Sequence, residues 1–269
     1  MTNIDTQRLP IGVFDSGVGG LSVLKVLQEQ FPNEDFIYIG DNTNNPVGNR
    51  PTEEITEIAC RIAETLHQLP VKLMVIACNT FTVVALDEVR SRVTVPVIGV
   101  SQGVKTAIRE SNSNTIGIMA TVATVNSHIH KHVAMEIDHE VFVWEQPCPD
   151  LAGLIEQGHL QDDAVREVAK EYLAPMLERD IDVVVLGCTH FPFVRSVLQE
   201  LSGDSIRYID PAYETSDLVK RTMDSNNLHN PSTKQGHSTL YFTKDIVLGA
   251  DLGAQFLDTD NFSVELITL

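Results

Sequence analysis

Basic residues are scarce in this chain: 19 Lys and Arg stand against 37 Asp and Glu, a formal charge of -18. A phosphate-binding surface needs clustered cations, so this balance argues against a nucleic-acid partner. It leaves room for a small anion held by backbone N–H groups inside a pocket. Cysteine is also rare, with Cys60, Cys78, Cys148 and Cys188 forming no C-x-x-C pair, which weakens a zinc or thioredoxin-like assignment. No apolar run approaches the ~18 residues of a membrane-spanning helix. The opening MTNIDTQRLP lacks the basic region and apolar stretch of a secretory signal. These absences predict a cytoplasmic protein with no membrane partner, in which the four cysteines are thiols rather than disulfides.

What is present is globular in character. Hydrophobic residues make up 43% of 269 and charged residues 21%, enough for a sizeable core. Short apolar runs at 11–15, 36–40, 73–78, 95–100, 115–119, 141–144, 183–188 and 206–210 read as strands, several of them apolar on both faces. Amphipathic stretches at 21–30, 52–69 and 163–177 read as helices between them. Strand alternating with helix predicts an α/β fold with parallel sheets. So many strands suggest two lobes, and a near-repeat supports the division. VIACNTFTVV (75–84) and VVLGCTHFPFV (184–194) share an apolar strand, a cysteine, polar residues, an aromatic and a new helix. The expected architecture is two similar lobes, each a mostly parallel sheet flanked by helices, with the active site in the cleft between them. In open α/β sheets ligands bind at the carboxyl ends of strands.

Three loops at such ends carry polar residues. Asp15-Ser16-Gly17-Val18-Gly19-Gly20 leads into a helix whose free N–H groups can meet a carboxylate. It fits no nucleotide motif: no lysine precedes Lys25, and Ser22 stands where a dinucleotide loop needs its third glycine. Cys78-Asn79-Thr80 and Cys188-Thr189-His190 are the other two. A cysteine on an apolar strand is usually a small buried hydrophobe, and Cys60 and Cys148 are read that way. Cys78 and Cys188 instead end their strands at an expected helix start, where thiolate is favoured. Asp15 and His190 are the available proton partners. Two such thiols suit inversion of a stereocentre, in which a base works on one face of a carbon and an acid on the other. Ser16, Asn79, Thr80 and Thr189 can bind the substrate and stabilise charge developing at Cα.

The sequence resembles glutamate racemase over nearly its whole length. The segments that carry the resemblance are IGVFDSGVGGLSVL (11–24), YIGDNTNNPVGNRP (38–51), VIACNT (75–80), VPVIGV (95–100), CPDLAGLIEQG (148–158) and VLGCTHFP (185–192). It implies two α/β lobes, one built from residues 1–98 and 210–269 and the other from 99–209. It implies interconversion of L- and D-glutamate without cofactor or metal, supplying peptidoglycan, in a protein that is often a homodimer. By matching position, Cys78 and Cys188 are the catalytic thiols, assisted by Asp15 and His190. Ser16, Pro46, Val47, Gly48, Asn79, Thr80, Thr189 and Glu156 border the substrate. The sequence departs from the family at Pro46-Val47-Gly48, where Pro-Tyr-Gly is usual, and at Ser101-Gln102-Gly103, where a Pro-Gly pair is common. The first departure puts substrate choice in question and leaves the thiols untouched.

Three alternatives remain at this level: a racemase of another acid such as aspartate, a catalytically silent amino-acid-binding homologue, and a cysteine hydrolase using Cys188 and His190. The last leaves the Cys78 loop unexplained. His128, His130 and His132 are read as solvated or capping residues, since i, i+2, i+4 spacing does not share one helical face. Trp144 is read as packing, and the C-terminal TDNFSVELITL as a terminal strand or a dimer contact.

Overall fold

The computed structural model describes residues 6–257 and 259–269. In chain order the first elements are β1 (Ile11–Asp15), α1 (Leu21–Gln30), β2 (Phe36–Gly40), α2 (Thr52–Gln68), β3 (Leu73–Ile76), α3 (Asn79–Arg92) and β4 (Val97–Gly99). A middle group follows: α4 (Val104–Glu110), β5 (Thr115–Ala120), α5 (Val122–Asn126), α6 (Ile129–Ile137), β6 (Phe142–Pro147), α7 (Leu151–Glu156) and α8 (Asp163–Leu177). It continues with β7 (Val183–Gly187), a 3₁₀ turn at Phe191–Val194, α9 (Arg195–Ser202) and β8 (Arg207–Ile209). The chain ends with α10 (Ala212–Asn226), β9 (Ser238–Phe242), α11 (Ile246–Phe256) and β10 (Phe262–Leu266).

The chain forms two compact units. One holds residues up to Val47, Pro51–Val100 and Ala212–Leu269; the other holds Gly48–Arg50 and Ser101–Pro211. The larger unit has a six-stranded sheet in the order β10-β9-β2-β1-β3-β4, and the smaller a four-stranded sheet in the order β6-β5-β7-β8. Every pairing in both is parallel. This is the α/β architecture the strand–helix alternation predicts.

The sequence explains the layering. β1, β3 and β7 are buried at every position, as strands covered by helices on both faces must be. α2 buries Ile55, Ile58, Ala59, Ile62, Ala63 and Leu66, the i, i+3, i+4 stripe of a helix lying on a sheet. α8 starts on Asp162, whose side chain accepts from Val165 N–H, and presents Val165, Ala169, Leu173 and Met176 to the interior.

The differences from expectation sit at element ends and in one interior strand. The runs at 73–78 and 183–188 stop as strands at Ile76 and Gly187, so both cysteines lie just beyond their strands. β6 runs on to Pro147 rather than ending at Trp144. β9 corresponds to none of the expected apolar runs, although its burial alternates and it lies between β2 and β10. The C-terminal segment forms the edge strand β10. Gly48 belongs with the second unit, where its carbonyl accepts from Ala123 N–H at 3.0 Å. Trp144 packs under Arg179, whose guanidinium carbon stands 3.8 Å from the ring centroid. No helix among the described residues is long and apolar enough to cross a membrane.

Candidate active site

In the larger unit the strand ends converge on the first two loops. Asp15 ends β1 opposite Gly40, and Phe14 pairs with Ile76, which brings the segments after β1 and β3 side by side. Asp15 is fully buried; its Oδ1 accepts Gly17 N–H at 3.0 Å and its carbonyl accepts Asp41 N–H at 3.1 Å. Gly20 is required by this packing, because a Cβ there would lie 2.6 Å from the Asp15 Cβ and 2.9 Å from the Tyr38 ring. The Tyr38 hydroxyl in turn donates to the Gly17 carbonyl and braces the loop.

Cys78 caps α3: its sulfur accepts Phe81 N–H at 3.5 Å. Asn79 and Thr80 are the first residues of that helix and are buried. The Cys78 sulfur lies 3.6 Å from Ser16 Oγ, so the first and second loops meet at this thiol. The pair can hydrogen-bond in either protonation state, with S–H donating to the hydroxyl or the hydroxyl donating to a thiolate. Val47 is buried, at 3% exposure.

In the smaller unit Cys188 follows β7 at the level set by the register Pro147–Ala120–Gly187 across β6, β5 and β7. Its sulfur is 3.7 Å from His190 Nδ1, and His190 Nε2 is 2.6 Å from Glu156 Oε1 at the end of α7. Burial alone would lower the pKa of His190, but the Cys188 sulfur and the Glu156 carboxylate hold it well above the usual value. The His190 imidazole thus bridges the Glu156 carboxylate and the Cys188 sulfur. Thr189 is buried beside it. The expected helix start at this cysteine is instead a turn followed by a 3₁₀ helix with Pro192 in its first turn, and α9 begins only at Arg195.

The structure therefore joins Ser16 to Cys78, and Cys188 to His190 and Glu156. Cys60 and Cys148 are buried, and burial raises the pKa of both thiols, that of Cys148 well above the ordinary value. Cys148 nevertheless lies within electrostatic reach of Cys188. Its position directly after β6, as Cys188 follows β7, was the signal that could have placed the two together. His130 corrects the solvated-or-capping expectation: it is 1% exposed. Among the described residues, no group of three or more His, Cys, Asp or Glu could hold a metal ion.

The model of the Asp/Glu/Hydantoin racemase family matches residues 11–216. The chain belongs to this family. The resemblance to glutamate racemase drawn from the motifs holds as well. The chain is 40% identical to glutamate racemase from Herpetosiphon aurantiacus over 227 residues, 84% of this chain and 89% of the relative. It is 36% identical over 261 residues to that from Syntrophus aciditrophicus, covering 97% of each. Among solved structures, glutamate racemase from Francisella tularensis in complex with D-glutamate superposes with a TM-score of 0.87 at 33% identity, over 97% of this chain and 98% of that one. The loops of Asp15, Cys78 and Cys188 all fall inside the span that matches the family.

Proposed function

We propose that this family member interconverts L- and D-glutamate with Cys78 and Cys188 as its two acid/base groups and no cofactor. The observation that carries the reading is that each thiol sits at the carboxyl end of a parallel strand with a hydrogen-bonding partner of its own, Ser16 for Cys78 and His190 for Cys188. In each turnover one thiolate takes the Cα proton and becomes a thiol. The other thiol delivers its proton to the opposite face and becomes a thiolate. Charge and protons balance, and the reverse direction exchanges the roles. Acid–base help of this kind contributes roughly 10²–10⁴-fold. The remainder comes from Ser16, Asn79, Thr80, Thr189 and the loop N–H groups, which bind the substrate and stabilise charge at Cα, while Asp15 and His190 assist the thiols.

Pro46, Val47 and Gly48 border the side-chain end of the substrate in this reading. Glu156 acts through His190. The protein works in the cytoplasm as a homodimer and supplies D-glutamate for peptidoglycan. Proton NMR in D₂O with the parent, Cys78→Ser and Cys188→Ser tests the mechanism. The parent should exchange Cα–H of both enantiomers, and each variant should lose racemisation. Full turnover in either variant sinks the two-thiol reading. A panel of single L-amino acids, aspartate included, tests the substrate, and faster turnover of aspartate than glutamate would overturn it.

A further inference from the structure

One buried titratable side chain has no place in the chemistry above. His130 is the second residue of α6 and is 1% exposed, and neither ring nitrogen has a hydrogen-bond partner among the described residues. It shares the inward stripe of α6 with Ala134, four residues on. That stripe covers an apolar cluster of Val104, Ala107, Ile118, Val143, Val183 and Val185. Gly187 lies two residues beyond Val185 and Glu145 two beyond Val143, so both face the same side. The Nε2 edge of His130 is aimed at Gly187: a Cβ there would lie 3.4 Å from it. Gly187 is the last residue of β7 and directly precedes Cys188.

Glu145 is the charged group acting on the ring. Its Oε1 is buried without a partner, while Oε2 accepts from His128 Nδ1 at 2.9 Å and Lys131 Nζ at 3.1 Å. Lys131 and the His128 ring are thus both engaged by Glu145. Burial keeps His130 uncharged at neutral pH, its pKa pushed down to about 4 against the pull of Glu145.

Two unsatisfied nitrogens in an apolar cluster burden the fold, and a phenyl ring would fill the same space without them. The geometry points to His130 as a positioning residue for the Cys188 thiol, its neutral imidazole edge set against the strand end from which that thiol projects. The ring is a polar neighbour that adds no charge beside Gly187, the residue before Cys188. His190 is then left as the charged partner in contact with the Cys188 sulfur. An apolar ring would remove the dipole, and a cationic side chain would add a second positive charge. The inference rests on the racemase reading for its catalytic consequence, but not for its effect on the sulfur.

The test compares the parent, His130→Phe and His130→Gln, with His130→Leu standing in should the phenylalanine variant not fold. Thermal midpoint, kcat and KM for glutamate are measured, together with the iodoacetamide alkylation rates of Cys188 and Cys78 followed by mass spectrometry. The phenylalanine variant should keep or raise the midpoint and hold KM, while kcat falls about tenfold and the Cys188:Cys78 alkylation ratio shifts about threefold or more. The glutamine variant, polar and uncharged, should restore both towards the parent. An unchanged alkylation ratio with unchanged kcat overturns the proposal. So does a joint fall of midpoint, kcat and both alkylation rates, which marks a packing role alone. The alkylation ratio is read without turnover. A parent that fails to racemise glutamate therefore defeats the functional reading and leaves this test intact.

Discussion

His190 Nε2 and Glu156 Oε1 lie 2.6 Å apart, and both side chains are largely buried. The carboxylate at the end of α7 thereby holds a proton on the imidazole whose other nitrogen faces Cys188. Glu156→Gln keeps the shape and removes the charge. With Glu156 neutralised, the pKa of His190 falls, so activity that depends on the imidazolium is lost at a lower pH. The alkaline limb of kcat/KM should move towards acid. At neutral pH kcat should fall about 10–100-fold, a part of the roughly 10²–10⁴-fold that a positioned acid or base contributes. A limb that stays in place would show that the carboxylate does not control His190.

Much of this site was legible because its residues obey local rules. Cys78 and Cys188 each close an apolar, Val- and Ile-rich run, and the polar residues after them mark the strand ends. Asp15 and Ser16 stood out because a glycine-rich turn after a fully apolar strand has few local reasons to carry a carboxylate. What was not legible depends on the tertiary arrangement. β9 reads STLYF, with two hydroxyl residues in front, and only its place between β2 and β10 makes it an interior strand. His130 looks like its neighbours His128 and His132 in sequence, yet helix phase buries it against Gly187. Gly48 leaves its sequence neighbours for the second unit through one hydrogen bond to Ala123 and contact with Thr121, which no pattern announces.

Burial of neutral His130 makes the fold sensitive to acid. Its pKa in the folded protein is about 4, below the ordinary value of 6.5. Between those two values the unfolded chain takes up a proton that the folded chain refuses. The contribution is therefore complete above pH 6.5 and lost as pH falls towards 4. At most it amounts to about 3 kcal/mol, from about 1.4 kcal/mol per pKa unit. His130→Phe should flatten the stability curve by this amount over that window relative to the parent, measured by urea unfolding at a series of pH values. Parallel curves for the two proteins would contradict the burial of an uncharged ring.

At the other end of the larger unit, Lys72 and Glu34 form an ion pair in which the side chains are 0% and 4% exposed. Lys72 also donates to the Gln7 carbonyl at 2.8 Å, and Glu34 Oε1 accepts Asn230 N–H at 2.8 Å. Burial lowers the pKa of Lys72 even against the pull of Glu34. Lys72→Ala strands a buried carboxylate and should cost about 3–5 kcal/mol. The double variant Lys72→Met with Glu34→Gln should recover part of that loss. Urea midpoints for the single and double variants check this, and equal stability of Lys72→Ala and the parent would show that the pair is not held dry.

Ser16 is the first-loop side chain that meets Cys78, its hydroxyl 3.6 Å from the sulfur and the residue 3% exposed. Its hydroxyl can accept from the thiol and donate to the thiolate, so in the proposed two-thiol cycle it would serve Cys78 in both halves. Ser16→Ala removes that service while leaving the Phe81 N–H contact of the helix cap in place. A hydrogen bond to the charged form favours it, so without the hydroxyl Cys78 should be alkylated more slowly and Cys188 at the parental rate. kcat should drop about tenfold in both directions, because a racemisation that needs both thiols is slowed whichever one starts as the base. Stopped-flow alkylation resolved by residue, alongside circular dichroism assays from each enantiomer, makes the comparison. Loss of alkylation at both cysteines would instead mean that the loop itself had moved.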